Sequence, residues 1–383
     1  MTRTLIVASA GAGKTQRIIS EAKFQAASGK NILVVTYTEN NQKELLHRYS
    51  GDAKFFTVKG LFSFLLEDIV RPYQRCFFST RISTINFNSG GDPHKVNGRT
   101  IPGRKEALPD GMLNPVYYLT KCEKKAHTTY LAKLATKIMK KREKEVLARL
   151  EDIYSHIYID EVQDLVGWDY EVLKILSKSK LMKITCVGDF RQTIYDTSSA
   201  SKGPKSTKQK LEKFVSMNFD VKNLAVSRRS VKGICDFSDT IHSNEGYKKT
   251  LSLTVNLPYH NYHTGVFCVR ESYVNEYIRE FSPVILRHGV NSGKRYNEMD
   301  VKKINFGKSK GLSFDRTLII PTQAYLRFIS GEKNIFSADK TEASKNKLYV
   351  ASTRAKYSTA FVVPDSQVDK CLLSEWKKDW SLP

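Results

Sequence analysis

Residues 5–15 read Leu-Ile-Val-Ala-Ser-Ala-Gly-Ala-Gly-Lys-Thr, an apolar run that passes directly into a glycine-punctuated loop ending in Lys14-Thr15. A strand that empties into such a loop, with a helix opening at the lysine, is the phosphate-binding arrangement of nucleotide-driven α/β proteins. Gly11 and Gly13 let the backbone curl so that successive N–H groups face a phosphate, and the helix adds the positive end of its dipole. The expected nucleotide contacts are Ala10, Gly11, Ala12, Gly13, Lys14, Thr15 and Gln16. Lys14 reaches the β- and γ-phosphates, and the Thr15 hydroxyl holds Mg2+. The full pattern has glycine where this chain has Ala8, so the loop alone fits a kinase as well as a motor.

Outward from the loop, apolar runs alternate with amphipathic stretches as far as about Val70: LIVA, a helix near 14–28, ILVVTY, a second helix, FFTV and a third helix over LFSFLLEDIV. That alternation predicts a parallel sheet flanked by helices. Turn signals at 89–93 (SGGDP) and 101–105 (IPGRK) break the rhythm and predict an insertion over about 71–150, with lysine-rich helix from about Thr128 to Leu150. Strands HIYID (156–160) and ITCVGD (184–189) resume the sheet. A polar, basic linker at 198–210 then leads to a second series: VKNLAVS, a helix from about Val231, GVFCVR, a helix, PVILRH, FDRTLIIP and YSTAFVVP, with a short helical tail after Asp365. The expected fold class is α/β, with two cores in tandem at 1–200 and 201–383.

The chain has 383 residues, 40% of them hydrophobic, and a formal net charge of +23. Such an excess repels itself unless a polyanion shares the surface, which makes nucleic acid the leading partner; a membrane surface or a generally basic proteome is the blander explanation. Cys76, Cys122, Cys186, Cys235, Cys268 and Cys371 stand far apart with no CxxC pair, so neither a zinc site nor a disulfide framework is expected. His260 and His263 form an HxxH spacing without a nearby carboxylate or thiol and are not read as a metal site. The first strand begins at once, and no apolar run approaches membrane-spanning length. A cytoplasmic protein with no membrane partner is expected.

A phosphate loop needs an acidic site for its metal, and IYIDEVQD at 157–164 supplies one. Asp160 ends an apolar strand, where its carboxylate can help hold Mg2+, and Glu161 is placed to polarise the attacking water. Taken singly, an acidic pair after a strand more often opens a helix or loop.

With these motifs in order, the chain resembles the UvrD/Rep group of superfamily 1 helicases. The resemblance implies two RecA-like cores hydrolysing ATP in the cleft between them, and 3′-to-5′ movement on single-stranded DNA. VVTYTENNQKEL (34–45) resembles the segment that touches the single strand, implying Thr36, Tyr37 and Thr38; FFTVKG (55–60) adds Thr57. VGDFRQTIY (187–195) resembles the coupling motif, with Gln192 sensing the γ-phosphate and Tyr195 facing DNA. LAVSRRS (224–230) and LYVASTRAK (348–356) place Arg229 and Arg354 as arginine fingers, and SKGLSF (309–314) brings Gly311 to the nucleotide. Arginines supplied from a second core stabilise γ-phosphoryl charge only when the cleft is shut, which ties hydrolysis to closure. Surface ion pairing is the commoner fate of an arginine.

Several positions depart from the family. Few residues precede the first strand, Arg228 stands where an aromatic stacks on the base, and Ser313 replaces a glutamate, so ATP is the expected nucleotide with other NTPs accepted. Thr197 stands where a tryptophan stacks on DNA. Between Arg229 and Lys310 there is little room for a large accessory domain, and the compactness suggests a phage or mobile-element protein, acting in a host cytoplasm if phage-encoded. Lys121, Lys124, Lys125, Lys133, Lys137, Lys140, Lys141, Arg142 and Lys144 of the insertion either line a nucleic-acid track or form a solvated face. Single-stranded DNA is the expected partner, and RNA fits the same backbone-tracking chemistry. The alternative is a nucleic-acid-gated NTPase switch that controls a protein partner without processive movement.

Overall fold

The computed structural model describes residues 3–87, 91–194, 203–255, 263–296, 298–337 and 341–377. Packing divides the chain into two compact units, one of Met1–Ile6, Thr15–Gly188 and Asp196–Lys222, the other of Val7–Lys14, Asp189–Tyr195 and Asn223–Pro383. This grouping does not follow the chain as 1–200 and 201–383 do: the phosphate loop and 189–194 group with the second unit.

In the first unit, β1 (Arg3–Ala8) feeds the loop and α1 (Lys14–Ala26), whose Ile18, Ile19, Ala22 and Ala26 form the buried face. β2 (Ile32–Thr36), α2 (Glu39–Arg48) and β3 (Phe56–Gly60) follow. The third expected helix is α3 (Leu61–Phe64) and α4 (Arg71–Tyr73), joined by a π-helical stretch over Leu65–Val70. The insertion holds two small ladders: β4 (Thr84–Asn86) pairs in parallel with β7 (Lys125–His127), and β5 (Lys95–Val96) pairs antiparallel with β6 (Arg99–Thr100). After the short α5 (Pro115–Tyr118), the lysine-rich stretch is two helices, α6 (Thr128–Lys141) and α7 (Glu143–Ile153), broken at Arg142. α6 buries Leu131, Leu134, Ala135, Ile138 and Met139, so its apolar stripe is core.

β8 (His156–Asp160), α8 (Asp169–Leu176) and β9 (Lys183–Gly188) return to the sheet, and α9 (Thr207–Ser216) is capped by Ser206 and Gln209 in a capping box. The segment VKNLAVS, expected as one strand opening the second core, is two. β10 (Asp220–Leu224) is the edge of the first sheet, in the order β10-β1-β9-β8-β2-β3, whereas β11 (Val226–Ser227) pairs with β12 (Leu251–Ser252). The changeover falls at Ala225: the Leu224 carbonyl accepts from Ser9 N–H at 2.9 Å and the Ala225 carbonyl from Leu251 N–H at 2.8 Å. β2 pairs in parallel with β3 and β8, and β8 with β9. Strands covered on both faces carry continuous apolar runs, as in the wholly buried Ile32–Thr36 and His156–Asp160.

The second unit runs through α10 (Lys232–Thr240), β13 (Gly265–Arg270), α11 (Val274–Phe281), β14 (Val284–Arg287), β15 (Lys303–Asn305), β16 (Phe314–Ile319), α12 (Gln323–Ile329), α13 (Glu342–Ser352), β17 (Ala355–Val363) and β18 (Ser374–Glu375). Its six strands pair in parallel in the order β15-β14-β16-β17-β13-β18. Alternation sends Cys268, Leu286, Ile319 and Phe361 to one core and Phe267, Val269, Ile285, Leu318 and Val362 to another. The tail is not simply a short helix. A 3-10 stretch over Asp365–Lys370 leads to the edge strand β18, after which Trp376 is buried and donates its backbone N–H to the Cys268 carbonyl at 2.9 Å. Among the described residues no helix is long and apolar enough to cross a membrane.

Candidate functional site

The phosphate loop turns on two left-handed glycines, Gly11 at φ +72° and Gly13 at φ +77°. At Gly11 the absence of a side chain is required twice over, because a Cβ there would lie 2.6 Å from Arg229 Cβ and 2.7 Å from Ser227 Oγ. The Gly11 carbonyl accepts from the Arg228 N–H at 2.9 Å. Within the second unit, then, the Ser227–Arg229 segment lies directly on the loop. Two loop amides are used internally: Ala12 N–H donates to the Ser9 carbonyl at 3.2 Å, and Ala10 N–H to Tyr349 Oη at 3.0 Å. Lys14 opens α1 with Thr15 behind it, and the exposed Gln16 donates to Ser20 Oγ at 3.3 Å.

The two arginines differ. Arg229 is half-buried, and its Nη1 donates to the Thr353 carbonyl at 3.4 Å. Arg354 is 1% exposed, with Nε on the Val350 carbonyl at 3.0 Å and Nη1 on the Ser309 and Leu312 carbonyls at 3.4 and 3.3 Å. It braces the turn that carries Gly311, which sits exposed at φ +85°. Gln192 is buried and donates its amide to Asp189 Oδ2 at 2.8 Å; Asp189 is wholly buried against the Arg191 guanidinium at 3.2 Å.

In the first unit, Asp160 ends β8 at 2% exposure, and its Oδ1 accepts the N–H of Glu161 at 2.9 Å. Glu161 is a non-glycine residue at φ +54°, a conformation costing about 1–3 kcal/mol that persists where the surroundings over-determine it. Those surroundings include Gln163, which is buried and donates its amide to the Glu161 carboxylate, and Lys210, which donates to the Gln163 carbonyl at 2.6 Å. Thr15 and Asp160 offer a hydroxyl and a carboxylate, the hard oxygen donors that suit Mg2+ beside phosphate oxygens.

The expected nucleic-acid contacts are largely committed elsewhere. Thr36 is buried and its Oγ1 accepts from Asn41 Nδ2 at 3.4 Å, and Thr38 caps α2 by accepting the Asn41 N–H at 3.2 Å. Tyr37 donates its hydroxyl to Asp169 Oδ2 at 3.0 Å. Burial lifts the Asp169 carboxyl to about 6 against the hydrogen bonds from Val166 N–H and Tyr37. Thr57 is half-buried on β3. Tyr195 and Thr197 lie outside the described residues, as does His260. His263 is a core residue, stacked on Phe267 and Phe281 at 4.2 Å each and bonded to Tyr277 Oη at 2.9 Å; burial and Arg316 push it down to about 3. In the insertion, Lys133 and Lys137 both pair with Glu106, at 2.5 and 3.0 Å, whereas Lys121, Lys124, Lys125, Lys140, Lys141, Arg142 and Lys144 are exposed.

The glycine-turned phosphate loop, the two parallel α/β sheets and the strand-end Asp-Glu pair define a P-loop protein. Residues 1–198, just over half of the chain, match the AAA domain family (AAA_19), and the chain belongs to that family. It is similar to a probable DNA helicase II homolog of Mycoplasma capricolum subsp. capricolum, with 24% identity over 216 residues, or 51% of this chain and 28% of that protein. A similar solved structure is that of an arterivirus nonstructural protein 10 (helicase) with DNA, with a TM-score of 0.43, 13% identity, and coverage of 94% of this chain and 60% of that one. The chain thus spans under a third of the curated relative and three-fifths of the viral chain.

Proposed function

We propose that the protein is a Mg2+-dependent NTPase that moves 3′ to 5′ along single-stranded DNA, as a compact motor of the UvrD/Rep type. The observation that carries this reading is the seating of Ser227–Arg229 on the phosphate loop, where only a glycine at position 11 admits it. A cationic side chain so placed can answer γ-phosphoryl charge as it develops. Lys14 and the loop amides other than those of Ala10 and Ala12 hold the phosphates, Thr15 and Asp160 hold the metal, and Glu161 orients the attacking water. When bound, the metal would neutralise phosphate charge. Gln192 reads the γ-phosphate, Arg229 and Arg354 serve the transition state, and Gly311 lies near the nucleotide. Thr36, Tyr37, Thr38, Thr57 and Tyr195 line the strand, with the exposed lysines of the insertion adding phosphate contacts.

A second reading, an NTPase switch that controls a partner protein without processive movement, draws support from the internal commitment of Thr36, Tyr37 and Thr38. Two assays decide. Hydrolysis measured with oligothymidine, duplex DNA and RNA should be stimulated most by the single strand, and Lys14→Ala or Glu161→Gln should abolish it while the protein stays folded. Unchanged hydrolysis in Glu161→Gln overturns the assignment. Triplex displacement by the wild type supports the motor, and stimulated hydrolysis without displacement supports the switch.

A further inference from the structure

We propose that Tyr349 is a positioning residue that locks the phosphate loop to Gln192 through a closed ring of buried and half-buried hydrogen bonds. The proposal rests on the nucleotide-hydrolysing reading above. Every member of the ring belongs to the second unit.

The ring starts at Ala10, whose N–H donates to Tyr349 Oη at 3.0 Å. A phenol has one proton, and here it goes to Asp189 Oδ2, also at 3.0 Å. The same carboxylate oxygen takes the Gln192 amide at 2.8 Å, so one oxygen separates the phenol from the proposed γ-phosphate sensor. Asp189 Oδ1 accepts Arg191 Nε at 3.2 Å, and Arg191 Nη1 reaches Asp239 Oδ1 at 3.1 Å. Asp239 in turn takes the Thr250 hydroxyl at 2.8 Å and the Thr250 N–H at 2.6 Å. With its proton spent on a carboxylate, Thr250 Oγ1 can only accept from Ser9 Oγ at 3.0 Å. The ring has returned to the residue before Ala10.

Burial makes these bonds consequential. Ser9, Ala10, Asp189, Arg191, Gln192, Thr250 and Tyr349 are all buried, where an unmatched polar group costs more than in water. The Arg191 guanidinium also lies 4.5 Å above the Tyr349 ring, so the aromatic body packs independently of the hydroxyl. A displacement of the loop at Ala10 therefore reaches Gln192 through three hydrogen bonds, and one at Ser9 reaches the same carboxylate from the other side.

Tyr349→Phe deletes the phenol's two bonds and keeps the ring over Arg191. Steady-state hydrolysis should show kcat reduced by about tenfold or more with KM for NTP within about threefold of wild type, the split expected when orientation rather than binding is lost. Thr250→Val opens the ring at the opposite side and should lower kcat in the same direction by about three- to tenfold. Should Tyr349→Phe fail to fold, Thr250→Val carries the test by the same criteria. Turnover within about twofold of wild type, or a loss carried wholly by KM, overturns the proposal. Wild-type protein that neither binds a fluorescent triphosphate nor hydrolyses NTP overturns the hydrolysis reading and this proposal together. An active wild type with an equally active Tyr349→Phe overturns the ring alone.

Discussion

The chain leaves the C-terminal ends of two parallel strands with motifs of similar promise, and the two are built differently. After β1 the loop is made of small residues whose backbone does the work: Gly11 and Gly13 are left-handed, and the Ser227–Arg229 segment closes on Gly11 so tightly that no Cβ fits there. At the end of β2 the residues Thr36, Tyr37 and Thr38 carry hydroxyls, and each is bonded within its own unit. A motif that acts through backbone geometry keeps its capacity when the surrounding structure packs tightly. A hydroxyl whose proton is already donated, as that of Tyr37 is to Asp169, must give up that partner before it can donate to a ligand.

The same contrast separates the two arginines, and here the largest effect is expected. Arg229 is half-buried and donates to the Thr353 carbonyl, whereas Arg354 is 1% exposed and holds the Val350, Ser309 and Leu312 carbonyls. Arg229→Ala should lower kcat by about 10³ while the melting temperature stays within a few degrees of wild type. Arg354→Ala should lower both, because it empties a nearly fully buried site and removes the guanidinium that ties α13 to the turn at 309–312. Equal melting temperatures for the two variants would show that Arg354 is not structurally committed and would erase the distinction.

Much of the fold was legible before the structure. Strands covered on both faces must be apolar throughout, so ILVV, HIYI and ITCV announce themselves, and a glycine-rich loop before Lys14 sets the first βα junction. Short or polar elements were not legible. β10 carries Val-Lys-Asn with three exposed side chains and pairs only because it lies at a sheet edge, and β18 is two residues long. α13 runs EASKNKLYVAS, with Lys345, Asn346 and Lys347 set directly before Leu348, Tyr349 and Val350, so periodicity gives little sign of it. The candidate site is legible in the sequence as motifs but not as bonds. Tyr349 and Asp189 stand inside the segments LYVASTRAK and VGDFRQTIY, yet only tertiary structure puts their hydroxyl and carboxylate 3.0 Å apart.

A pH experiment sharpens the β2 side of the comparison. Asp169 is buried, with a carboxyl near 6, and it receives both Tyr37 and the Val166 N–H. Since this value lies above that of an unfolded aspartate, the folded state keeps a proton that the unfolded state has lost. Its contribution to stability therefore falls as pH rises from about 4 to about 6, and is level above that. Asp169→Asn removes the titration. Its stability relative to wild type should climb by on the order of 2 kcal/mol over that window and then flatten, as followed by denaturant unfolding. A difference that does not vary with pH would mean that Asp169 ionises as freely in the fold as outside it.

The smallest effect tests whether Tyr37 serves DNA through its hydroxyl or its ring. The hydroxyl is donated to Asp169, so Tyr37→Phe takes nothing from a bound strand that was on offer, and oligothymidine affinity should change by less than about threefold. Tyr37→Ala removes the ring as well, and if a base stacks there the loss should be about 1–3 kcal/mol. Neither change alters charge. With a net charge of +23, phosphate contacts and their counterion release should keep the salt dependence steep and the slope the same in all three proteins. Titrations from low to physiological salt separate these terms. A tenfold loss in Tyr37→Phe at every salt concentration would mean that the hydroxyl leaves Asp169 for the strand, and the β2 segment would then be a site opened by its ligand.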